Sequence, residues 1–263
     1  MGAAAWSKAG RTLASSPQTR VQLCGRLVVD WQGRRLESEL PGRQGRLLFA
    51  YLVLNRTRVA TRDALVDALW YAGAPPAAET ALAALLSKLR RVIGVEHLSG
   101  RSELRLLLPE DATVDLEVAR EAIHRAESAL SGEDWPRAWA AAQTALFIAG
   151  RGFLPGEEAE WVQGCRRDVD ELHLRALEAY GRACLGIGGA EIAAAARVGR
   201  DLVRIAPLRE SGHRLLMEAL VASGNRAEAL VAYESLRLRL REDLGISPGP
   251  DLQQLHARLL RVD

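Results

Sequence analysis

The chain is poor in several things that would define other classes of protein. It has three cysteines in 263 residues, two lysines, and only 5% aromatic side chains. Cys24, Cys165 and Cys184 are odd in number and widely spaced, with no C-x-x-C pair. That excludes a disulfide framework and a cysteine-based zinc site and leaves reduced, mostly buried thiols as the reading. No apolar run approaches the ~20 residues of a membrane span. The Ala-rich start, Gly2 to Ala5 followed by Trp6 and Lys8, lacks the apolar core of a signal peptide. The expectation is a cytoplasmic protein with no membrane partner. The phosphate-loop pattern G-x-x-x-x-G-K-[ST], the metalloprotease pattern H-E-x-x-H and the nucleophile elbow G-x-S-x-G are all missing. The five histidines, His97, His124, His173, His213 and His256, are scattered, and Gly186 to Gly189 reads as a turn joining helices. No catalytic residue, metal site or cofactor is expected, and an enzyme is not.

What is present is 48% hydrophobic residues and an almost even 35 basic to 33 acidic side chains. The length suits two modest domains. Cut after Ala112, the first part holds 16 basic and 10 acidic groups, a net +6, and the remainder 19 and 23, a net −4. A basic module joined to an acidic one points to a polyanion meeting the first half. All basic residues except Lys8 and Lys88 are arginine, which coding bias explains alongside the abundant alanine. Residues 1–20 read as a flexible arm, 21–112 as the basic module and 113–263 as the acidic one.

In the basic module, Val21, Leu23, Leu27 and Val29 sit in short runs broken by Gly25 and Trp31-Gln32-Gly33, the pattern of a small antiparallel sheet. From Arg43 the period turns helical, with Leu47, Leu48, Tyr51, Leu52 and Leu54 on one stripe ending at Asn55. Thr61 caps a second helix that buries Leu65, Val66, Leu69 and Trp70. A third runs from about Ala77 to Ile93. On it Leu82, Leu86, Leu89 and Ile93 share one side, while Thr80, Ala84, Ser87, Lys88 and Arg91 share the other. The second side is small in the middle and basic toward its end, a shape that enters a major groove with cations against phosphate. An ordinary solvated amphipathic helix has the same pattern. Beyond Gly94, Val95 to Leu98 and Glu103 to Leu108 flank Ser99-Gly100-Arg101-Ser102, a hairpin with Arg101 at its tip and Arg105 facing solvent.

Three helices and a hairpin behind a small sheet resemble the winged helix-turn-helix of response-regulator-type transcription factors. The stretch Val59 to Trp70 and then Leu82 to Arg91 is similar to the DNA-binding half of SARP-type antibiotic-pathway activators. That resemblance implies a recognition helix from Thr80 to Arg91, Arg62 near phosphate, and a loop from Tyr71 through Gly73, Pro75 and Pro76 that touches RNA polymerase. The chain departs from the pattern where Ala83 and Leu85 stand in place of the usual Gln and His or Tyr, and Lys88 in place of Arg. Alanine can touch a thymine methyl but cannot hydrogen-bond a base edge.

From Asp115 onward the spacing is helical and strand signals are absent. Gly189 and Gly224 lie 35 positions apart, near the ~34-residue tetratricopeptide period. Gly224 to Tyr233 is the clearest unit, Pro207 closes another, and Trp135, Trp139 and Trp161 supply large core contacts, so at least three hairpins should stack. The stretch Leu236 to Leu255 resembles the close of the bacterial transcriptional activation domain that follows the winged helix in SARP-type proteins. There Gly245 stops a helix, Ser247-Pro248-Gly249 turns the chain, and Asp251 begins a last helix packed through Leu252, Leu255, Leu259 and Leu260.

The fold expected is mainly α: an α+β winged helix-turn-helix domain, then an all-α tetratricopeptide-like repeat domain. The two resemblances together imply an activator of a biosynthetic gene cluster that binds direct repeats in double-stranded promoter DNA as a homodimer and helps recruit RNA polymerase holoenzyme. They also imply a small family member without nucleotide-binding or sensor extensions. A protein-interaction scaffold built on a degenerate winged helix is the alternative, and a ligand on the concave face of the repeats is compatible with either.

Overall fold

The computed structural model describes residues 18–261. The chain divides into two compact units, one holding residues up to Val21 together with Leu27–Thr113, the other Gln22–Arg26 together with the chain from Val114. Most of the amino-terminal arm read from sequence lies outside the described residues. The chain is already fixed by Thr19, which is fully buried, and Arg20 opens the first strand.

Strands β1 (Arg20–Gln22), β2 (Val28–Trp31), β3 (Arg34–Arg35) and β7 (Thr113–Val114) form a sheet in the order β3-β2-β1-β7. Helix α1 (Gly42–Leu54) buries Leu47, Leu48, Phe49, Leu52 and Val53, a wider face than the stripe read from sequence, in which Tyr51 and Leu54 are half-buried. Trp31 meets Phe49 edge to face at 6.2 Å between ring centres. Strand β4 (Ala60–Thr61) leads into α2 (Arg62–Leu69), where the Thr61 hydroxyl accepts from the Ala64 amide at 3.3 Å, the expected cap. Leu65 and Leu69 are buried as expected. Val66 is half-buried, as is Trp70, which lies past the last turn as the C-cap.

Helix α3 (Ala78–Ile93) is followed by β5 (Leu98–Ser99) and β6 (Glu103–Leu106), which join β4 in a three-stranded sheet ordered β4-β6-β5. The hairpin is real but shorter than expected. Val95–His97 is a 3₁₀ turn, because after Gly94 at φ +99 the His97 amide donates back to the Gly94 carbonyl at 3.3 Å and curls the chain.

The second unit is a run of helices, each packed on the next in sequence: α4 (Asp115–Ser131), α5 (Trp135–Ala149), α6 (Glu160–Ile187), α7 (Ile192–Ile205), α8 (Glu210–Ala222), α9 (Arg226–Leu244) and α10 (Pro250–Leu260). The core is built largely from alanine, including Ala119, Ala122, Ala126, Ala142, Ala145 and Ala195, each fully buried. Small side chains let helices approach closely, and at Gly199 the contact is with backbone: a Cβ would lie 2.7 Å from the Leu216 Cα. Gly245 ends α9 at φ +70, as the sequence implied, and α10 begins at Pro250 with Gly249 as its cap. Leu252, Leu255 and Leu259 pack inward, but Leu260 is exposed, since one residue past Leu259 is a rotation of about 100° away from the buried side.

The segment Gln22–Arg26 is held inside this unit. The Asp115 carboxylate accepts from the Leu23 amide at 2.8 Å and the Cys24 amide at 3.0 Å, and pairs with Arg151 at 3.0 Å. Arg151 also donates to the Gln22 side chain, and Cys24 bridges to Phe153. Burial pushes the Asp115 pKa up, against these donors, and burial raises the Cys24 thiol to about 12 and the Cys184 thiol to about 11. Neither thiol ionises at neutral pH. All three cysteines are free thiols, Cys24 and Cys184 buried and Cys165 half-buried, in line with the reduced, mostly buried thiols expected from sequence.

Two stability predictions follow from this packing. Gly199→Ala should lower unfolding stability by about 1–3 kcal/mol in urea melts, because the Leu216 backbone cannot yield. Gly164→Ala, whose Cβ would meet nothing nearer than Arg167 at 3.9 Å, should raise it by about 0.5–1 kcal/mol. A third concerns pH. His213 is buried with Nε2 bonded to the Pro207 carbonyl at 3.0 Å, and burial holds the pKa of both His213 and His173 below the usual imidazole value. The unfolded rings take up protons near pH 6.5 while the folded rings stay neutral to lower pH. Stability is therefore complete above about pH 6.5 and declines below it. The urea midpoint should fall between about pH 7 and pH 5.5, and His213→Gln should shrink that fall.

Candidate nucleic-acid interface

The site begins with what α3 must hide. Leu82, Leu86, Leu89 and Ile93 are each at most 3% exposed, and burying four such side chains contributes roughly 1.5–3 kcal/mol apiece. Their spacing fixes the rotation of the helix. The side turned to solvent consists of Glu79, Thr80, Ala83, Ala84, Ser87, Lys88 and Arg91, all exposed. Thr80, Ala83, Ala84, Ser87, Lys88 and Arg91, the α3 residues expected from sequence to meet DNA, are therefore on one outward face, while Leu85 is half-buried. At its centre are two methyl groups and two hydroxyls, with cations toward the carboxyl end.

Arg101 is exposed at the tip of the β5–β6 turn, between Gly100 and Ser102. That turn depends on Gly100, which sits at φ +88 with its Cβ position occupied by the Glu103 carbonyl oxygen. Among the described residues, the side chains of Lys88, Arg91 and Arg101 make no ion pair or hydrogen bond, so all three cations are uncommitted.

The other two arginines named from sequence are engaged. The Arg62 Nε pairs with the Glu79 carboxylate at 2.8 Å, and its other nitrogens reach the Glu79 carbonyl at 3.4 Å and the Arg101 carbonyl at 3.5 Å. It ties the start of α2 to the start of α3 and to the wing. Arg105 does point to solvent, and its Nε donates to the Arg56 carbonyl at 3.2 Å. Sequence reasoning missed Arg90. Its Nε donates to the Leu98 carbonyl at 3.2 Å and its Nη2 to the Gly100 carbonyl at 2.6 Å. The available signal was its position four residues after Leu86, at the margin of the buried face, where a half-buried guanidinium must find acceptors.

The loop between α2 and α3 exposes every residue from Tyr71 to Ala77, including Gly73, Pro75 and Pro76. The Tyr71 hydroxyl accepts from Arg43 at 3.2 Å, the Gly73 amide donates to the Trp70 carbonyl at 2.9 Å, and the Pro75 carbonyl accepts from the Ala78 amide at 2.9 Å. In the helical unit a groove of about 820 Å³ is lined by Glu127, Leu130, Trp135, Arg182, Arg214 and Glu218 among others. Its charges are largely satisfied internally: Glu127 takes a two-pronged bond from Arg175 at 2.7–2.9 Å, and Arg214 pairs with Glu218 and Asp251. No group of His, Cys, Asp and Glu among the described residues could hold a metal ion, and no described helix is long and apolar enough to cross a membrane.

A basic-ended helix and a wing, followed by alanine-packed helical hairpins, define a class of two-part regulator, and comparison with known proteins agrees. The sequence matches the bacterial transcriptional activator domain over residues 114–260. The chain belongs to that family, in its SARP-type branch. Regulatory protein AfsR of Streptomyces griseus is 31% identical over 239 residues, covering 90% of this chain and 24% of AfsR. Transcriptional regulatory protein EmbR of Mycobacterium tuberculosis is 31% identical over 257 residues, covering 91% of this chain and 62% of EmbR. Transcriptional regulator RedD of Streptomyces coelicolor is 32% identical over 227 residues, covering 83% and 64%. The structure of M. tuberculosis EmbR in complex with a low-affinity phosphopeptide superposes with a TM-score of 0.82 at 26% identity, covering 94% of this chain and 66% of that one. The chain thus spans about a quarter of AfsR and three fifths of EmbR. These relatives carry the names of regulators, none that of an enzyme.

The Arg62 contacts generate a prediction. Arg62→Ala should lower the stability of the winged unit by up to about 1 kcal/mol, as for a partly exposed ion pair. Glu79→Gln should lower it by a similar amount, and the double variant by less than the sum, measured in thermal melts.

Proposed function

We propose that this chain is a non-enzymatic, cytoplasmic transcription activator that works by binding double-stranded promoter DNA. Helix α3 enters the major groove through Thr80, Ala83, Ala84 and Ser87, while Lys88, Arg91 and Arg101 meet phosphate on either side. The Tyr71–Pro76 loop contacts RNA polymerase holoenzyme, and two protomers occupy a direct repeat. The observation that carries this reading is the outward face of α3, exposed along its length and ending in cations that no acidic side chain neutralises. Arg62 and Arg105 contribute mainly by holding the surface in shape.

A purified sample footprinted on the DNA upstream of its own gene, in about 150 mM salt, should protect short direct repeats roughly one helical turn apart. Protection no different from that of random DNA would overturn the proposal. Arg91→Ala and Arg101→Ala should weaken binding to every sequence alike and reduce the salt slope by about one each. Thr80→Ala and Ser87→Ala should instead relax discrimination at single base positions. The exposed Ala83 and Ala84 favour a second reading, a scaffold whose winged helix binds DNA without reading it. Binding that depends on salt but not on sequence would select that one.

A further inference from the structure

The five arginines around α3 and the wing divide into two chemically distinct groups. Arg91 and Arg101 present free guanidinium groups. Arg62, Arg90 and Arg105 spend theirs on main-chain carbonyls, and Arg62 also on Glu79. Arg90 is the most committed of the second group to the wing itself, since its acceptors, Leu98 and Gly100, lie on the strand and the turn that carry Arg101. β6 is held on its far side by β4, with Ala60 opposite Leu104 and Thr61 opposite Glu103, and Leu98, Leu104 and Leu106 are buried. β5 is the edge strand and only two residues long, its register to β6 resting on Leu98 opposite Leu106 and Ser99 opposite Arg105, and Gly100 to Glu103 are exposed. The β5 side and the polar tip therefore have little of their own to fix their angle. A planar fork rooted in α3 supplies that restraint, because two nitrogens with fixed mutual geometry bind two carbonyls two residues apart.

We propose that Arg90 is a positioning residue that sets the angle of the wing to the recognition helix, so that Arg101 and the α3 cations address one DNA backbone together. Its charge is held by carbonyl oxygens, and its contribution to binding passes through Arg101. For DNA this rests on the function proposed above, but the brace itself is a property of the free protein.

The experiment uses the full chain in wild-type, Arg90→Lys and Arg90→Gln forms, each checked for a cooperative thermal melt. Lysine keeps the charge and loses the fork. Native-state amide exchange followed by mass spectrometry should show protection across residues 98–106 falling about tenfold or more in both variants, the scale of one charge-assisted hydrogen bond, with α1 unchanged. Unchanged exchange in the wing would overturn the proposal whether or not the protein binds DNA. If Arg90→Gln fails to fold, Arg90→Lys carries the same comparison. Affinity for a random-sequence duplex is then measured across a salt series, with Arg101→Ala added in each background. Arg90→Lys should lose as much affinity as Arg90→Gln, and Arg101→Ala, costly in the wild type, should cost little more in either variant. Full rescue by lysine, with the salt slope lowered only in Arg90→Gln, would make Arg90 a phosphate contact and overturn the proposal. A wild type that binds no DNA would count against the function above and leave the exchange result to decide the brace.

Discussion

A helix that must bury Leu82, Leu86, Leu89 and Ile93 has no freedom about its own axis. Everything at the candidate interface depends on that constraint. Once those four side chains are sealed, the outward residues are fixed without any contact of their own, and they can be chosen for a partner rather than for stability. The opposite face can therefore carry two alanines and two hydroxyls at no cost to the fold. The basic end of the helix also suits its place, since Arg90 and Arg91 lie in the last turn, where the helix dipole favours positive charge.

The hairpin obeys a different economy. β4 and the buried Leu98, Leu104 and Leu106 anchor its base, and guanidinium groups from α2, α3 and β6 add ties to carbonyl oxygens around its exposed end. Arginine suits this work because its fork satisfies two acceptors at once and cannot lose its proton at physiological pH. The helical unit uses the same device at larger scale. Arg209 joins Glu171 and Glu178 of α6, and Arg214 joins Glu218 and Asp251. Beside a core rich in alanine, where each side chain buries little area, the ties from Arg209 to α6 and from Arg214 to Asp251 on α10 add directional restraint that methyl groups cannot.

What could be read from the sequence was whatever repeats with a period. The buried and exposed sides of α3, the Thr61 cap, the turn at Gly245 and the helical character from Asp115 onward are all encoded in local spacing. What could not be read was which partner a side chain finds across the fold. The resemblance puts Arg62 near phosphate, and nothing in its local spacing announces the tie it also makes to Glu79 and the wing. The 3₁₀ turn at Val95–His97 falls in a run expected as strand, and the His97 amide's bond back to the Gly94 carbonyl is what curls it. Leu260 is apolar and nevertheless exposed, because it sits about 100° around the helix from Leu259, at the margin of the buried side, where composition alone misleads.

The segment Gln22–Arg26 bears on how the protein is made. Its acceptors come late: Asp115 is 92 positions beyond Leu23, and Arg151 is 129 beyond Gln22. During synthesis these five residues leave the ribosome long before anything exists for them to pair with, and the sequence of the winged unit is built in the interval. The helical unit is therefore discontinuous in the gene and closes through contacts of high sequence separation, which form slowly. A fragment begun at Val114 would have every helix of that unit and still leave the Asp115 carboxylate without its two amide donors. The natural starting point for an independent helical unit is the chain that begins before Gln22.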